Sequence, residues 1–109
     1  MEIYFKGIYM KNIGIIGGGL IGASWAAIFS KSEFNVFVYD PYPEVFNGYE
    51  ERVTLFLEEL KTIDDKVDVN RCLNKISQNV TLEDLCAKVE YIQESAPEIL
   101  SIKQELLHS

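Results

Sequence analysis

Residues Lys11 to Gly22 read KNIGIIGGGLIG, an apolar run that ends in Gly17-x-Gly19-x-x-Gly22. Ile13 to Ile16 is short and rich in β-branched residues, as expected of a strand buried on both faces. Leu20 to Lys31 (LIGASWAAIFSK) follows with Ala, Trp, Ile and Phe at helical spacing, so the glycines stand at a strand-to-helix turn. In such a turn the first glycine makes the tight bend, the second lets the backbone approach a pyrophosphate, and the third lets the helix pack closely on the strand. The start of the helix adds free N–H groups and the positive end of its dipole. Alone this spacing is a weak signal, because glycine clusters also occur in ordinary loops. Its surroundings decide.

Asn35 to Tyr39 (NVFVY) is a second β-rich run, stopped by Asp40-Pro41. Strand, helix and strand make a βαβ unit. Asp40 lies 18 residues beyond Gly22, close to the ~20-residue offset at which a dinucleotide-binding unit sets the acid for the adenosine ribose hydroxyls. With no basic residue directly after it, that carboxylate favours NAD over NADP, since it would repel a 2′-phosphate.

Downstream, Pro43 to Leu60 is expected to be the longest helix, with Pro43 in its first turn and Val45, Tyr49, Val53, Phe56, Leu57 and Leu60 on one face. From Glu44 to Asp68 eight acids stand against three bases, so the other face is acidic, either a solvated helix surface or a binding site for a cationic group. Asp64 to Asn74 reads as a turn and short helix that carries Val69, Cys72 and Leu73 inward. Ile76 to Val80 reads as a third strand, and Thr81 as the N-cap of a helix to Lys88 with Glu83 and Asp84 in its first turn. Val89 to Glu94 reads as a fourth strand, Ser95 to Glu98 as the loop at its carboxyl end, and Glu98 to Leu107 as a closing helix. Residues 1–9 form an extension, either a short strand or a loose segment, and residues 10–109 one domain without repeats or linkers. The expected fold is α/β: a Rossmann-type, doubly wound, mainly parallel sheet of about four strands in order 3-2-1-4, with the fourth strand as an open edge that invites pairing with another copy of the chain or with the N-terminal extension.

Composition narrows the partners. A formal charge of −7 argues against nucleic acid and anionic membranes, which need basic patches. No apolar run approaches the ~20 residues that span a bilayer, and MEIYFKGIYM lacks a signal-peptide pattern, so the expected location is cytoplasmic. Cys72 and Cys86 are too few and too far apart for a disulfide framework or a metal site, and read as reduced, packed thiols.

Three pieces of the chain, IGIIGGGLIGASWAAIF, VFVYDPYPE and YIQESAPEILSIKQELL, together resemble the NAD-binding domain of 3-hydroxyacyl-CoA dehydrogenases and of relatives that act on other hydroxy acids. The likeness runs from about Lys11 to Leu107. Trp25 and the stretch Gln93 to Glu98 resemble the branch that oxidises carnitine or gulonate more than the acyl-CoA branch. The resemblance implies that Gly17, Gly19, Leu20, Ile21 and Gly22 form the phosphate-binding turn and that Asp40 is the ribose-binding acid. It further implies that Glu98 and Lys103 approach the nicotinamide half of the cofactor, with Ser95 and Ala96 supplying backbone.

The resemblance also implies an oxidoreductase, as used in fatty acid metabolism, but one whose catalytic histidine and helical substrate and dimerisation domain fall beyond these residues. The single histidine, His108, does not match the family's catalytic position. Oxidising a secondary alcohol requires a base for the hydroxyl proton, which the cofactor does not provide. No catalytic residue and no metal ligand are therefore assigned. The expected function is NAD binding within such a dehydrogenase, inactive alone; the alternative is a non-catalytic NAD-sensing or subunit-type module that pairs with a separate catalytic chain.

Overall fold

A computed structural model describes residues 11–95 and the backbone of residues 4–5 and 8–9. The two short strands β1 (Tyr4–Phe5) and β2 (Ile8–Tyr9) pair antiparallel with each other, as a ladder separate from the main sheet. The main sheet begins at β3 (Asn12–Ile16), which leads through the glycines into α1 (Leu20–Lys31) and then β4 (Asn35–Tyr39). After β4 come a 3-10 turn (Pro43–Phe46), α2 (Tyr49–Ile63), α3 (Val69–Asn74), β5 (Ile76–Ser77), α4 (Leu82–Lys88) and β6 (Tyr91–Glu94). The order across the sheet is β5-β4-β3-β6, all parallel. This is the expected 3-2-1-4 arrangement of a doubly wound sheet.

Both faces of the central strand are covered, which explains its unbroken apolar run. Ile13 and Ile15 join Val36 and Val38 of β4, Ala23, Ala26 and Ala27 of α1, and Val53 and Leu57 of α2 in one buried cluster. Three alanines on the inner face of α1 let it lie close to the sheet. On the opposite face, Gly14 lies under Leu85 of α4: a Cβ added there would meet Leu85 Cδ2 at 2.7 Å. Ile16 packs there with Tyr39, Leu82 and Ile92.

The end of α1 is set locally. Glu33 takes a left-handed backbone conformation (φ 72°). The Phe34 N–H donates to Phe29 O and the Glu33 N–H to Ser30 O, both at 3.1 Å. These two bonds make a Schellman motif, closed by the edge-on contact of Phe29 and Phe34 with ring centroids 6.1 Å apart.

Two expected elements differ. The single helix over Pro43 to Leu60 is divided into the 3-10 turn and α2, because Gly48 adopts φ 73° and turns the chain between them. The inward face from Tyr49 through Val53 to Leu57 is as expected, and all three are buried. The third strand pairs only over Ile76–Ser77, since Asn79 at φ 58° leaves the extended conformation, although the Val80 N–H still donates to Val38 O at 3.0 Å. Helix α4 follows the sequence closely: the Thr81 hydroxyl caps it by accepting from the Asp84 N–H at 3.1 Å. Asp68 caps α3 in the same way. Both cysteines are free thiols, but only Cys72 is packed; Cys86 is exposed on the outer side of α4, a correction to the expectation that both are buried.

Candidate functional site

The glycine turn sits at the carboxyl ends of the two central strands, where parallel sheets bind their ligands. Gly17 turns at φ 124°, open to glycine and strained for other residues, and its N–H donates to Tyr39 O at 2.8 Å. Gly22 faces it across the turn. A Cβ on Gly22 would lie 1.9 Å from Gly17 O and 3.2 Å from Ser95 Oγ, so only glycine lets α1 start this close to β3. Gly19, the N-cap of α1, is different: a Cβ there would meet nothing within 4 Å, and its backbone borders open space.

Among the described residues no side chain caps α1, and no acid stands in its first turn. The positive end of its dipole is therefore left for an anion, in a chain whose other helices α2 and α4 carry acids at their starts. Leu20 and Ile21 are exposed at 64% and 63%, flanking this opening with apolar surface.

Asp40 lies at the end of β4, beside the turn. Its Oδ2 accepts the Gly18 N–H and its Oδ1 the Tyr42 N–H, each at 2.8 Å. One carboxylate thus ties the glycine turn to the loop after β4. Each oxygen keeps a further lone pair, enough to accept the paired hydroxyls of a ribose. Ser95, at the end of β6, reaches the same place: its N–H and its hydroxyl both donate to Ile16 O, at 2.9 and 3.3 Å.

Gly17, Gly19, Leu20, Ile21, Gly22, Asp40 and Ser95 are therefore brought together. Ala96, Glu98, Lys103 and His108 lie outside the described residues.

Two residues of this neighbourhood were not singled out from the sequence. Gly18 has a Cβ position 2.7 Å from Val45 Cγ1 as well as an N–H held by Asp40; the run of three glycines was its only mark. Arg52, on α2, donates to the backbone carbonyls of Gly18 (3.1 Å), Asn47 (3.0 Å) and Val45. Its only signal was being a base within an acidic helix.

A cavity of about 420 Å³ elsewhere is lined by residues including Lys31, Glu33, Asp64, Asp68, Arg71 and Cys72, at the far end of α1. Four of its charges pair with one another, Lys31 with Asp64 at 3.5 Å and Arg71 with Glu33 at 2.9 Å. Burial pushes the Cys72 thiol up, away from a reactive thiolate. Among the described residues no grouping of three His, Cys, Asp or Glu could hold a metal ion, and no helix is long and apolar enough to cross a membrane.

Residues 12–109 match the 3-hydroxyacyl-CoA dehydrogenase NAD-binding domain family. The chain is similar to lambda-crystallin of Oryctolagus cuniculus, at 30% identity over 98 residues, covering 87% of this chain and 31% of that protein. It is also similar to L-carnitine dehydrogenase of Streptomyces griseus, at 28% identity over 98 residues, covering 90% of this chain and 29% of that protein. Among solved structures, 3-hydroxybutyryl-CoA dehydrogenase from Escherichia coli shares the fold with a TM-score of 0.74 at 22% identity, over 91% of this chain and 21% of that one. The chain thus spans less than a third of the length of these relatives.

Proposed function

The chain belongs to the 3-hydroxyacyl-CoA dehydrogenase NAD-binding domain family, and from that premise we propose that it holds NAD on the glycine turn for the oxidation of a 3-hydroxy acid of the carnitine or gulonate type. The observation that carries this is the Asp40 carboxylate fixed beside Gly18, with the open backbone of Gly19 next to it. The residues fit the cofactor: an uncapped helix start for the pyrophosphate, a carboxylate for the ribose, and room where a Cβ would otherwise stand. NAD bound there supplies the hydride acceptor.

This chain's own residues bind and orient. Gly17 and Gly22 shape the turn, Gly19 and the first N–H groups of α1 receive the phosphates, and Asp40 selects the unphosphorylated ribose. Ser95, Ala96, Glu98 and Lys103 are assigned to the nicotinamide side. By themselves these 109 residues are expected to bind cofactor and turn nothing over, with the base for the hydroxyl proton supplied by a helical substrate domain.

A titration followed by thermal unfolding tests the reading. NAD at 100 times its dissociation constant stabilises a domain by ~2.7 kcal/mol, readily seen in this assay. Stabilisation by NAD, absence of it with NADP, and its loss in Asp40→Ala are expected; no shift with NAD would sink the proposal.

A second reading, a binding module that pairs with another chain, is supported by one observation. Among the described residues, strand β6 pairs with β3 on one side only and forms an edge of the sheet. Light scattering over a range of concentrations tests pairing with a second copy, which a constant monomer mass removes; a pull-down tests pairing with a separate catalytic chain, which recovery of a helical partner that restores dehydrogenase activity supports and its absence removes. The proposal includes a cytoplasmic location, checked by cell fractionation.

A further inference from the structure

Arg52 is the one arginine on α2, a helix whose first turn holds Glu50 and Glu51. Both terminal nitrogens of its guanidinium are engaged by backbone. It donates to the carbonyls of Val45 and Asn47, in the loop after Asp40, and crosses to the carbonyl of Gly18, 34 positions away in sequence, at 3.1 Å. The Tyr49 ring supports it from below, 5.8 Å from centroid to guanidinium carbon. Tyr49 is itself fixed, 2% exposed and edge-on to Phe46 at 5.3 Å.

The consequence lies in the peptide that joins Gly18 to Gly19. A trans peptide points its C=O and N–H in opposite directions, and the described residues contain no cis bond. With the Gly18 carbonyl drawn toward Arg52, the Gly19 N–H must point away from it, and among the described residues that N–H has no acceptor. The peptide before it is held as well, because the Gly18 N–H donates to Asp40 at 2.8 Å. Two consecutive glycine peptides, each free to rotate in isolation, are thus fixed from opposite sides by an anion and a cation.

We propose that Arg52 is a positioning residue for cofactor binding: it holds the Gly18–Gly19 peptide so that the Gly19 N–H is presented to the pyrophosphate, and it polarises that N–H by placing a positive charge on the carbonyl of the same peptide. Glycine makes such a device necessary. A residue with no Cβ has the widest choice of backbone conformations, and an unheld turn would spend binding energy on being ordered. An arginine suits the task because its planar fork reaches several carbonyls at once, whereas a lysine is a single point charge. In a chain of charge −7 it also places a positive charge behind the peptide whose N–H faces the dianionic pyrophosphate.

The proposal rests on the turn being the NAD site, and the test separates the two. Calorimetric titration of the full chain with NAD and with adenosine, which lacks the pyrophosphate, is compared for wild type, Arg52→Lys and Arg52→Gln, with the Gly19 amide followed by 1H–15N NMR without ligand. In Arg52→Gln, NAD is expected to weaken about tenfold or more, on the scale of a lost hydrogen bond to a charged group, while adenosine changes less than about twofold. Arg52→Lys is expected to recover part of the loss, and the Gly19 amide resonance to move in both variants.

NAD affinity unchanged in folded Arg52→Lys and Arg52→Gln overturns the proposal and leaves the NAD site standing. Equal losses for NAD and adenosine, or an unmoved Gly19 amide, overturn it in favour of a general structural role. A wild type that binds no NAD overturns the site itself and the proposal with it. Should Arg52→Gln not fold, Arg52→Lys and its amide spectrum carry the same decision.

Discussion

Adding one methyl group at Gly22 and, separately, at Gly19 splits the two properties of the glycine turn. At Gly22 the new Cβ would stand 1.9 Å from Gly17 O and 2.8 Å from the Gly17 carbonyl carbon. Overpacking in a core costs ~1–3 kcal/mol when side chains can yield. Here the obstacle is backbone, held by the Gly17 N–H bond to Tyr39 O, so relief requires α1 to lift from β3 and the upper end, about 3 kcal/mol, applies. Alanine is the better helix former by about 1 kcal/mol, leaving a net loss of about 2 kcal/mol. For a domain of this size that lowers Tm by roughly 8–16 °C.

At Gly19 the methyl meets nothing within 4 Å, and φ of −74° is ordinary for alanine. Alanine is a poorer N-cap than glycine but restricts the unfolded chain more, and the two effects, each of ~1 kcal/mol or less, nearly cancel. Yet this methyl stands where the backbone is open to a pyrophosphate. Circular dichroism melts and NAD titrations of both variants form the assay. Gly22→Ala should lose stability, and Gly19→Ala should keep its Tm while losing NAD binding about tenfold or more, the scale of one lost hydrogen bond to a charged group. The reasoning is refuted if Gly22→Ala melts with the wild type, or if Gly19→Ala binds NAD as the wild type does.

Asp40→Asn keeps one acceptor but turns the other oxygen into a donor facing a backbone N–H; a loss of about 1–2 kcal/mol in urea unfolding is expected besides weaker NAD binding. Burial raises the Tyr49 hydroxyl well above its ordinary value of 10.0, against the opposing charge of Arg52, and among the described residues the hydroxyl has no hydrogen-bond partner. Above pH 10 the unfolded chain therefore ionises first and binds fewer protons than the folded one, so stability falls as pH rises. Tyr49→Phe should match or exceed wild-type stability at neutral pH, by up to about 1 kcal/mol, and flatten that alkaline decline in urea unfolding followed from pH 8 to 11. Glu33 bridges Arg71 and Lys75 at 2.9 and 3.5 Å on the surface; Glu33→Gln should cost under ~1 kcal/mol, and less in high salt, by chemical denaturation.

What the sequence by itself determined is what depends on near neighbours. Ile13 to Ile16 and Asn35 to Tyr39 announce strands because alternating faces of a buried sheet demand apolar, branched residues. Thr81 announces a helix because its hydroxyl needs only the N–H three residues on. The glycine spacing with Asp40 is legible for the same reason, since one βαβ unit of fixed length connects them. The split at Gly48 and the short third strand escaped because a single residue at positive φ can redirect a chain whose hydrophobic period runs on unbroken.

Only the tertiary structure decided how the turn is held. Residues far apart in sequence meet there: Asp40 takes the Gly18 N–H, Arg52 takes the Gly18 carbonyl, and Ser95 donates to Ile16 across 79 positions. No local pattern encodes those bonds, because their geometry exists only once α2 has packed on α1 and β6 has paired with β3.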